Sequence, residues 1–240
     1  MKEPKRPVLA HGKVRHVGDA YAAVIAETEQ QARDAAEKIN ADIKELPAVI
    51  DMASALSGKN FVHDEIGTNQ CYDWGWIEDN REATDKAIKN AHHVTTLELV
   101  NNRLVPNAME PRCSIADYNP ANDDYTLYTT SQNPHLTRLL ISAFVLGIPE
   151  NKLTVVSPDV GGGFGSKIYH YGEEALVLAA AKRIKRPVRW TATRSESFMS
   201  DAHGRDHVTK IELALDKDNN FLAFRTETMA NVGAYLSNFS

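Results

Sequence analysis

Apolar and polar positions alternate along this chain in two rhythms, one with a period near two and one near 3.6, and the switches between them divide it into elements. Residues 14–17 and the apolar run 20–26 flank Gly18-Asp19, which predicts two paired strands about a tight turn. Thr28 is placed as an N-cap, and Ala32, Ala35, Ala36 and Ile39 then recur at helical spacing, so a helix is expected to end near Asn40. Residues 43–50, broken by Pro47, read as a returning edge strand.

Between Asp51 and Glu82 the periodicity disappears among Gly58, Gly67, Gly75 and scattered acids, which predicts a long connector. Within it Trp74 and Trp76 suit either a ligand surface or, as is more common, anchors of the connector on a core. A short helix is expected over 82–91 and a strand over 93–100. Further strands are expected at 114–118, 125–130, 153–157 and 187–191. Residues 136–146 read as an amphipathic helix closed by Gly147, and 173–183 as a second helix. A hairpin of 208–215 and 221–230, turning at 216–220, completes a mixed pattern of the α+β class.

Composition narrows the function classes. At 240 residues with 42% hydrophobic content the chain can bury a core. Its 27 Lys and Arg against 32 Asp and Glu, a net charge of −5, leave no basic footprint for nucleic acid. No apolar run has the length of a membrane span, and the opening Met1-Lys2-Glu3-Pro4 lacks the apolar stretch of a signal peptide, so a cytoplasmic location without membrane partners is expected. Cys71 and Cys113 stand far apart with no Cys-x-x-Cys or His-rich companion; neither zinc nor an iron–sulfur cluster is expected on this chain, and both read as buried free thiols. His92-His93 and the pair His203 and His207 lack a third ligand and read as structural.

Three segments carry candidate chemistry. The sharpest is Gly161-Gly162-Gly163-Phe164-Gly165-Ser166-Lys167, after a β-branched strand and before a helix. Glycines permit positive φ and close backbone approach, and bared N–H groups can receive anionic oxygens; a tight bend explains the run equally well. It is not a Walker loop, because Ser166 precedes Lys167, and it is not a dinucleotide fingerprint, because Ser166 stands where the third glycine would fall. A phosphate-binding enzyme is therefore disfavoured. The second segment is Asn102-Arg103-Leu104-Val105-Pro106-Asn107-Ala108-Met109-Glu110-Pro111-Arg112, which also suits an irregular loop with ion pairs. The third is Thr129-Thr130-Ser131-Gln132-Asn133-Pro134-His135, where Ser131 or Asn133 could cap and Pro134 fits a first helical turn. Capping accounts for all of it except Gln132.

In order and spacing, the three segments resemble the molybdenum-binding subunit of the xanthine oxidase and carbon monoxide dehydrogenase family of molybdenum hydroxylases. That family's pattern runs Arg-x-x-Pro-x-x-Met-Glu-Pro-Arg, Ser/Thr-Gln-x-Pro-His and Gly-Gly-Gly-Phe-Gly-x-Lys. The resemblance extends from Lys13-Val14-Arg15-His16-Val17-Gly18-Asp19 to Tyr235-Leu236. It implies the C-terminal part of an α/β hammerhead domain over 1–52, a connector over 53–86, and the N-terminal part of a molybdopterin-binding domain over 87–240. It further implies molybdopterin cytosine dinucleotide with molybdenum and no direct protein ligand to the metal. Electrons would pass to iron–sulfur clusters and FAD on small and medium partner subunits of an oligomeric complex.

On the same resemblance, Gln132 hydrogen-bonds an oxygen ligand of the metal, and Gly162, Gly163, Phe164 and Gly165 line the cofactor through their amides. Phe164 packs over the metal pocket, Lys167 helps close the loop, and Glu110 and Arg112 brace the domain. Tyr169, His170 and Tyr171 are expected to face the substrate funnel. Purine-oxidising relatives carry a glutamate where Ile168 stands, which disfavours purine. Ser166 and Ile168 look closer to the carbon monoxide dehydrogenase-like and aldehyde-oxidising branches, with carbon monoxide, an aldehyde or an aromatic heterocycle as the small substrate. Cys113 is not equivalent to the copper-binding cysteine of carbon monoxide dehydrogenases, which would lie beyond Ser240, as would the family's glutamate base. The polypeptide therefore reads as truncated at both ends, and by itself is not expected to turn over substrate. The alternative is a binding or assembly module that keeps the scaffold without the reaction.

Overall fold

The strand β2 (Cys113–Asn119) shows how the period of two becomes a core: Ser114 and Ala116 are buried while Ile115 and Asp117 face outward. Its neighbour β3 (Asp124–Thr129) does the same with Tyr125, Leu127 and Thr129. These two pair antiparallel, β5 (Val188–Thr191) adds antiparallel to β2, and β4 (Leu153–Val156) adds parallel to β3, giving the order β4-β3-β2-β5. The parallel pair requires a crossover, and α4 (Pro134–Leu140) followed by a π-helical turn, Ile141–Leu146, supplies it. Gly147, at φ 62°, closes that helix in the left-handed region. Across the sheet lies α5 (Gly172–Ile184), whose Val177, Leu178, Ala180 and Ala181 join Ala116, Leu127, Ile141, Leu153 and Val188 in one core.

The computed structural model describes residues 1–76 and 80–236. Residues 77–79 of the expected connector and 237–240 of the expected cofactor domain lie outside the described residues. The chain forms two units. One is drawn from Met1–Pro4, Pro47–Leu104 and Gly204–Tyr235, the other chiefly from Lys5–Leu46 and Val105–His203, which holds the four-stranded sheet. The first unit is built on the antiparallel sheet β1-β6-β7, formed by β1 (His93–Asn101), β6 (His207–Leu215) and β7 (Phe221–Ala230). The predicted hairpin turn is closed by Asp216, whose Oδ1 accepts from the amides of Asp218 and Asn220. The helix α3 (Arg81–Asn90) packs on β6 and β7, where Arg225 bridges Asp85 at 2.6 Å and Glu212 at 2.6 Å.

Several expectations are corrected. The strands expected at 14–17, 20–26 and 43–50 do not form; Ala20 O accepts from the Ala10 amide at 2.7 Å without a ladder following, and Val17, Ile25, Ile43 and Ile50 are exposed. Alternation describes which face is apolar, but a strand exists only when a neighbour takes up its ladder of hydrogen bonds. The helix between them does form as α1 (Glu29–Ala36), with Thr28 and Gln31 in a reciprocal capping box, and ends earlier than Asn40. A further helix, α2 (Met52–Leu56), capped by Asp51, sits in the expected connector. Trp74 and Trp76 are not buried anchors: they stand 68% and 76% exposed, edge to face at 5.6 Å. Both cysteines are free, and half-buried rather than buried.

Candidate functional site

The strand β4 delivers the chain to the glycine run, and Ser157 just past its end donates to the Ser131 carbonyl at 2.6 Å, fixing the third segment beside the first. Ser131, not Asn133, provides the turn chemistry there: its hydroxyl accepts from the Asn133 amide at 3.0 Å, and α4 then starts at Pro134. This leaves Gln132 facing the loop. Its amide donates to the Lys167 carbonyl at 2.8 Å, and its Oε1 accepts from the Gly165 amide at 3.0 Å and the Lys167 amide at 3.3 Å. Gly163 has to be glycine for this to happen, since a Cβ there would fall on the Gln132 carboxamide.

Positive φ at Gly162, Phe164 and Gly165 (97°, 49° and 90°) turns the run tightly on itself. Ser166 closes it, its amide and hydroxyl both donating to the Gly163 carbonyl at 3.0 Å. Phe164 is a non-glycine residue in the left-handed region, 73% exposed, with its ring resting against Gly162. Among the described residues no hydrogen bond takes up the amides of Gly162, Gly163 and Phe164, nor the Nε2 group of Gln132. A loop of this kind can donate to the acceptor oxygens of a ligand, and it does so without a formal positive charge.

The second segment is shared between the two units. Arg103 belongs to the first, where it bonds Asp206 at 2.8 Å and the Asn231 carbonyl at 3.1 Å. Glu110 and Arg112 belong to the second. Glu110 accepts from the Gly161 amide at 2.8 Å and from Lys167 Nζ at 3.0 Å, while Lys167 Nζ also donates to the Glu110 carbonyl at 2.8 Å. Burial pushes the Glu110 carboxyl up, but Lys167 and the Gly161 amide outweigh it and hold the group below the ordinary carboxylate range.

Arg112 is buried and spreads its guanidinium over two helix ends. It donates to Asp201 at 2.7 Å, to Ser200 at 3.0 Å and to Glu173 at 3.2 Å, and stacks 3.7 Å above the Tyr171 ring. Burial again pushes the Glu173 carboxyl up, and the Arg112 charge with its hydrogen bonds pulls it below the usual range.

Of Tyr169, His170 and Tyr171, expected to face the substrate funnel, Tyr171 turns inward instead. Tyr171 is buried, donates to the Ser166 carbonyl at 2.6 Å and accepts from the Ala202 amide at 2.9 Å. His170 Nδ1 lies 2.9 Å from the buried carboxylate of Glu174, which also receives the Thr129 hydroxyl at 2.9 Å. Polar groups that follow a surface loop by a few residues turn inward here because α5 begins at once and its first turn needs partners.

One contributor was missed from sequence. Arg194, in α6 (Arg194–Ser200), donates to the Met109 carbonyl at 2.8 Å and to Asn107 Oδ1, holding the second segment. Its helix carries a legible start signal, Thr193-x-x-Glu196, which forms a full capping box. Among the described residues no helix is long and apolar enough to cross a membrane, and no three His, Cys, Asp or Glu side chains gather as for a metal ion.

A family model of the molybdopterin cofactor-binding domain matches residues 62–240, and one of the aldehyde oxidase and xanthine dehydrogenase α/β hammerhead domain matches residues 1–47. The chain is 31% identical over 233 residues to the nicotine 6-hydroxylase large subunit of Paenarthrobacter nicotinovorans, covering 95% of this chain and 28% of that one. It is 34% identical over 241 residues to the carbon monoxide dehydrogenase large chain of Hydrogenophaga pseudoflava, covering 95% and 30%. The quinoline 2-oxidoreductase of Pseudomonas putida 86 superposes with a TM-score of 0.90 at 31% identity, over 99% of this chain and 30% of that one. The chain thus spans less than a third of the length of these three relatives. By these matches the chain belongs to the molybdopterin cofactor-binding domain family, with a segment of the aldehyde oxidase and xanthine dehydrogenase hammerhead domain preceding it.

Proposed function

We propose that this chain forms the cofactor loop of the large subunit of a molybdenum hydroxylase, holding molybdopterin cytosine dinucleotide against Gly162, Gly163, Phe164, Gly165 and Gln132. The observation that carries the reading is the meeting of Gln132 with the glycine loop. Its Oε1 ties the loop's far side, while its Nε2 and the amides of Gly162, Gly163 and Phe164 remain unengaged among the described residues. These donors match a ligand rich in acceptor oxygens. A lysine reaching the same ligand is not needed, because Lys167 is spent on Glu110.

When bound, the cofactor supplies a two-electron oxidation with water as the oxygen source. In this reading Gln132 Nε2 donates to an oxygen of the bound group and orients it, the loop amides fix its position, and the exposed Phe164 ring excludes water from one side. Gly165 contributes by its turn, since its amide is committed to Gln132. The domains run as hammerhead over 1–52, connector over 53–86 and cofactor domain over 87–240. Iron–sulfur and FAD subunits accept the electrons within a cytoplasmic complex. The substrate class is a small carbon compound: carbon monoxide, an aldehyde or an aromatic heterocycle. Ile168 in place of an acid disfavours purine, and the nicotine and quinoline named for two relatives are aromatic heterocycles.

The test is purification of the protein with its natural companion chains, followed by metal analysis and acid release of the nucleotide. Molybdenum near one atom per chain, cytidine monophosphate, and iron and flavin on the companions are expected. An intact complex that oxidises substrate without molybdenum would overturn the reading.

A further inference from the structure

Lys167 is out of place for a ligand-binding lysine. Its side chain is 1% exposed, and among the described residues its ammonium donates to Glu110 alone, to the carbonyl at 2.8 Å and the carboxylate at 3.0 Å. The same carboxylate oxygen accepts the Gly161 amide at 2.8 Å, and the Glu110 amide donates back to the Gly161 carbonyl at 3.3 Å. Both ends of the loop, Gly161 and Lys167, are therefore tied to Glu110. The approach is close enough that a Cβ on Gly161 would lie 2.5 Å from Glu110 Cβ. Gln132 spans the inside of the same loop, so the amides left over are the consecutive ones at Gly162, Gly163 and Phe164.

A hydrocarbon side chain at 167 would fill the same space without the cost of burying a charge, so packing alone does not account for an ammonium there. An ammonium and a carboxylate do something a hydrocarbon cannot: each fixes the direction of several hydrogen bonds at once. Acting on that difference, we propose that Glu110 and Lys167 are positioning residues that form a charged latch, closing the glycine loop so that its free amides are held ready before the cofactor arrives. The inference rests on the function proposed above. Lys167 itself makes no contact with the ligand, and the loop presents amide dipoles in place of a cation.

The latch is tested in the whole protein with its companion chains, prepared with and without cofactor, by hydrogen exchange of the amides of 161–167. Lys167→Met and Glu110→Gln are each expected to raise exchange there by about tenfold in the cofactor-free protein, while β2, β3 and α5 keep their protection. The double variant is expected to be no faster than the faster single one, and Lys167→Arg to restore most of the protection, because a purely space-filling role would not depend on the charge. Molybdenum content is expected to fall in the order of loop opening. Unchanged exchange in both singles, or effects that simply add, would overturn the latch. If Lys167→Met also loosens α5, Lys167→Arg and Glu110→Gln, which keep the bulk, decide by the same comparison. A wild-type complex without molybdenum sinks the cofactor reading but leaves the exchange result legible; a molybdenum-loaded wild type with an indifferent loop sinks the latch alone.

Discussion

A Cβ added to Gly163 would meet the Gln132 carboxamide, and a Cβ added to Gly162 would come within 3.3 Å of Ala108 Cβ at φ 97°. Gly163→Ala is therefore expected to push Gln132 out of the loop, break its bonds to the Gly165 and Lys167 amides, and lower molybdenum content at least as far as Gln132→Ala does. The global stability should change by only about 1–2 kcal/mol, since the displaced groups are at the surface. Metal analysis beside denaturant unfolding separates the two effects; a variant that loads molybdenum normally would contradict the assignment. At this scale the sequence was partly legible. The glycine run and Gln132 stood out because neither bend nor cap explained both. The inward turn of Tyr171 did not, since its neighbours in sequence are loop residues and one of its partners, Ala202, is brought to it only by folding.

At the scale of elements, Arg112 ties β2 to two helices through polar bonds. It leads into β2, bonds Glu173 at the start of α5, and reaches Ser200 and Asp201 at the end of α6. Removing one partner from a buried charged network costs more than removing all, because the remaining carboxylates are stranded. Arg112→Met is expected to destabilise the protein by roughly 3–5 kcal/mol, measured as a lowered denaturant midpoint. A loss below about 1 kcal/mol would mean the network is no better than a surface one. The strands β1 to β7 and the helices α1, α3, α4 and α5 were legible from periodicity and punctuation. α6 was overlooked although its capping box is written in Thr193 and Glu196. The strands expected in residues 14–50 were over-read, since their apolar rhythm finds no ladder partner among the described residues.

For the whole molecule, the perturbed groups set a window of stability in pH. Glu110 and Glu173 are held below their ordinary value of 4.5, so their contribution is complete above that value and is lost as pH falls through the lowered ones. Tyr171 is pushed up to about 12 from 10, by burial against the opposing pull of Arg112; its contribution is complete below pH 10 and is lost as pH rises toward 12. Unfolding free energy is expected to be level near neutrality and to fall at both ends, with Tyr171→Phe flattening the alkaline limb. A profile unchanged down to about pH 3 would show that neither carboxylate is held as the geometry indicates.

By itself the sequence determined the class of fold, the order of most strands and helices, and three motifs whose order carried a family resemblance. Periodicity, capping and glycine chemistry act over a few residues, and so can be read along the chain. Only the tertiary structure decided which motif groups meet: that Glu110 and Lys167 close the loop, that Gln132 lies within it, that Arg103 serves one unit and Arg112 the other. Those contacts join residues dozens of positions apart, and their partners are chosen by the packing of α5 and the four-stranded sheet, which no local pattern encodes.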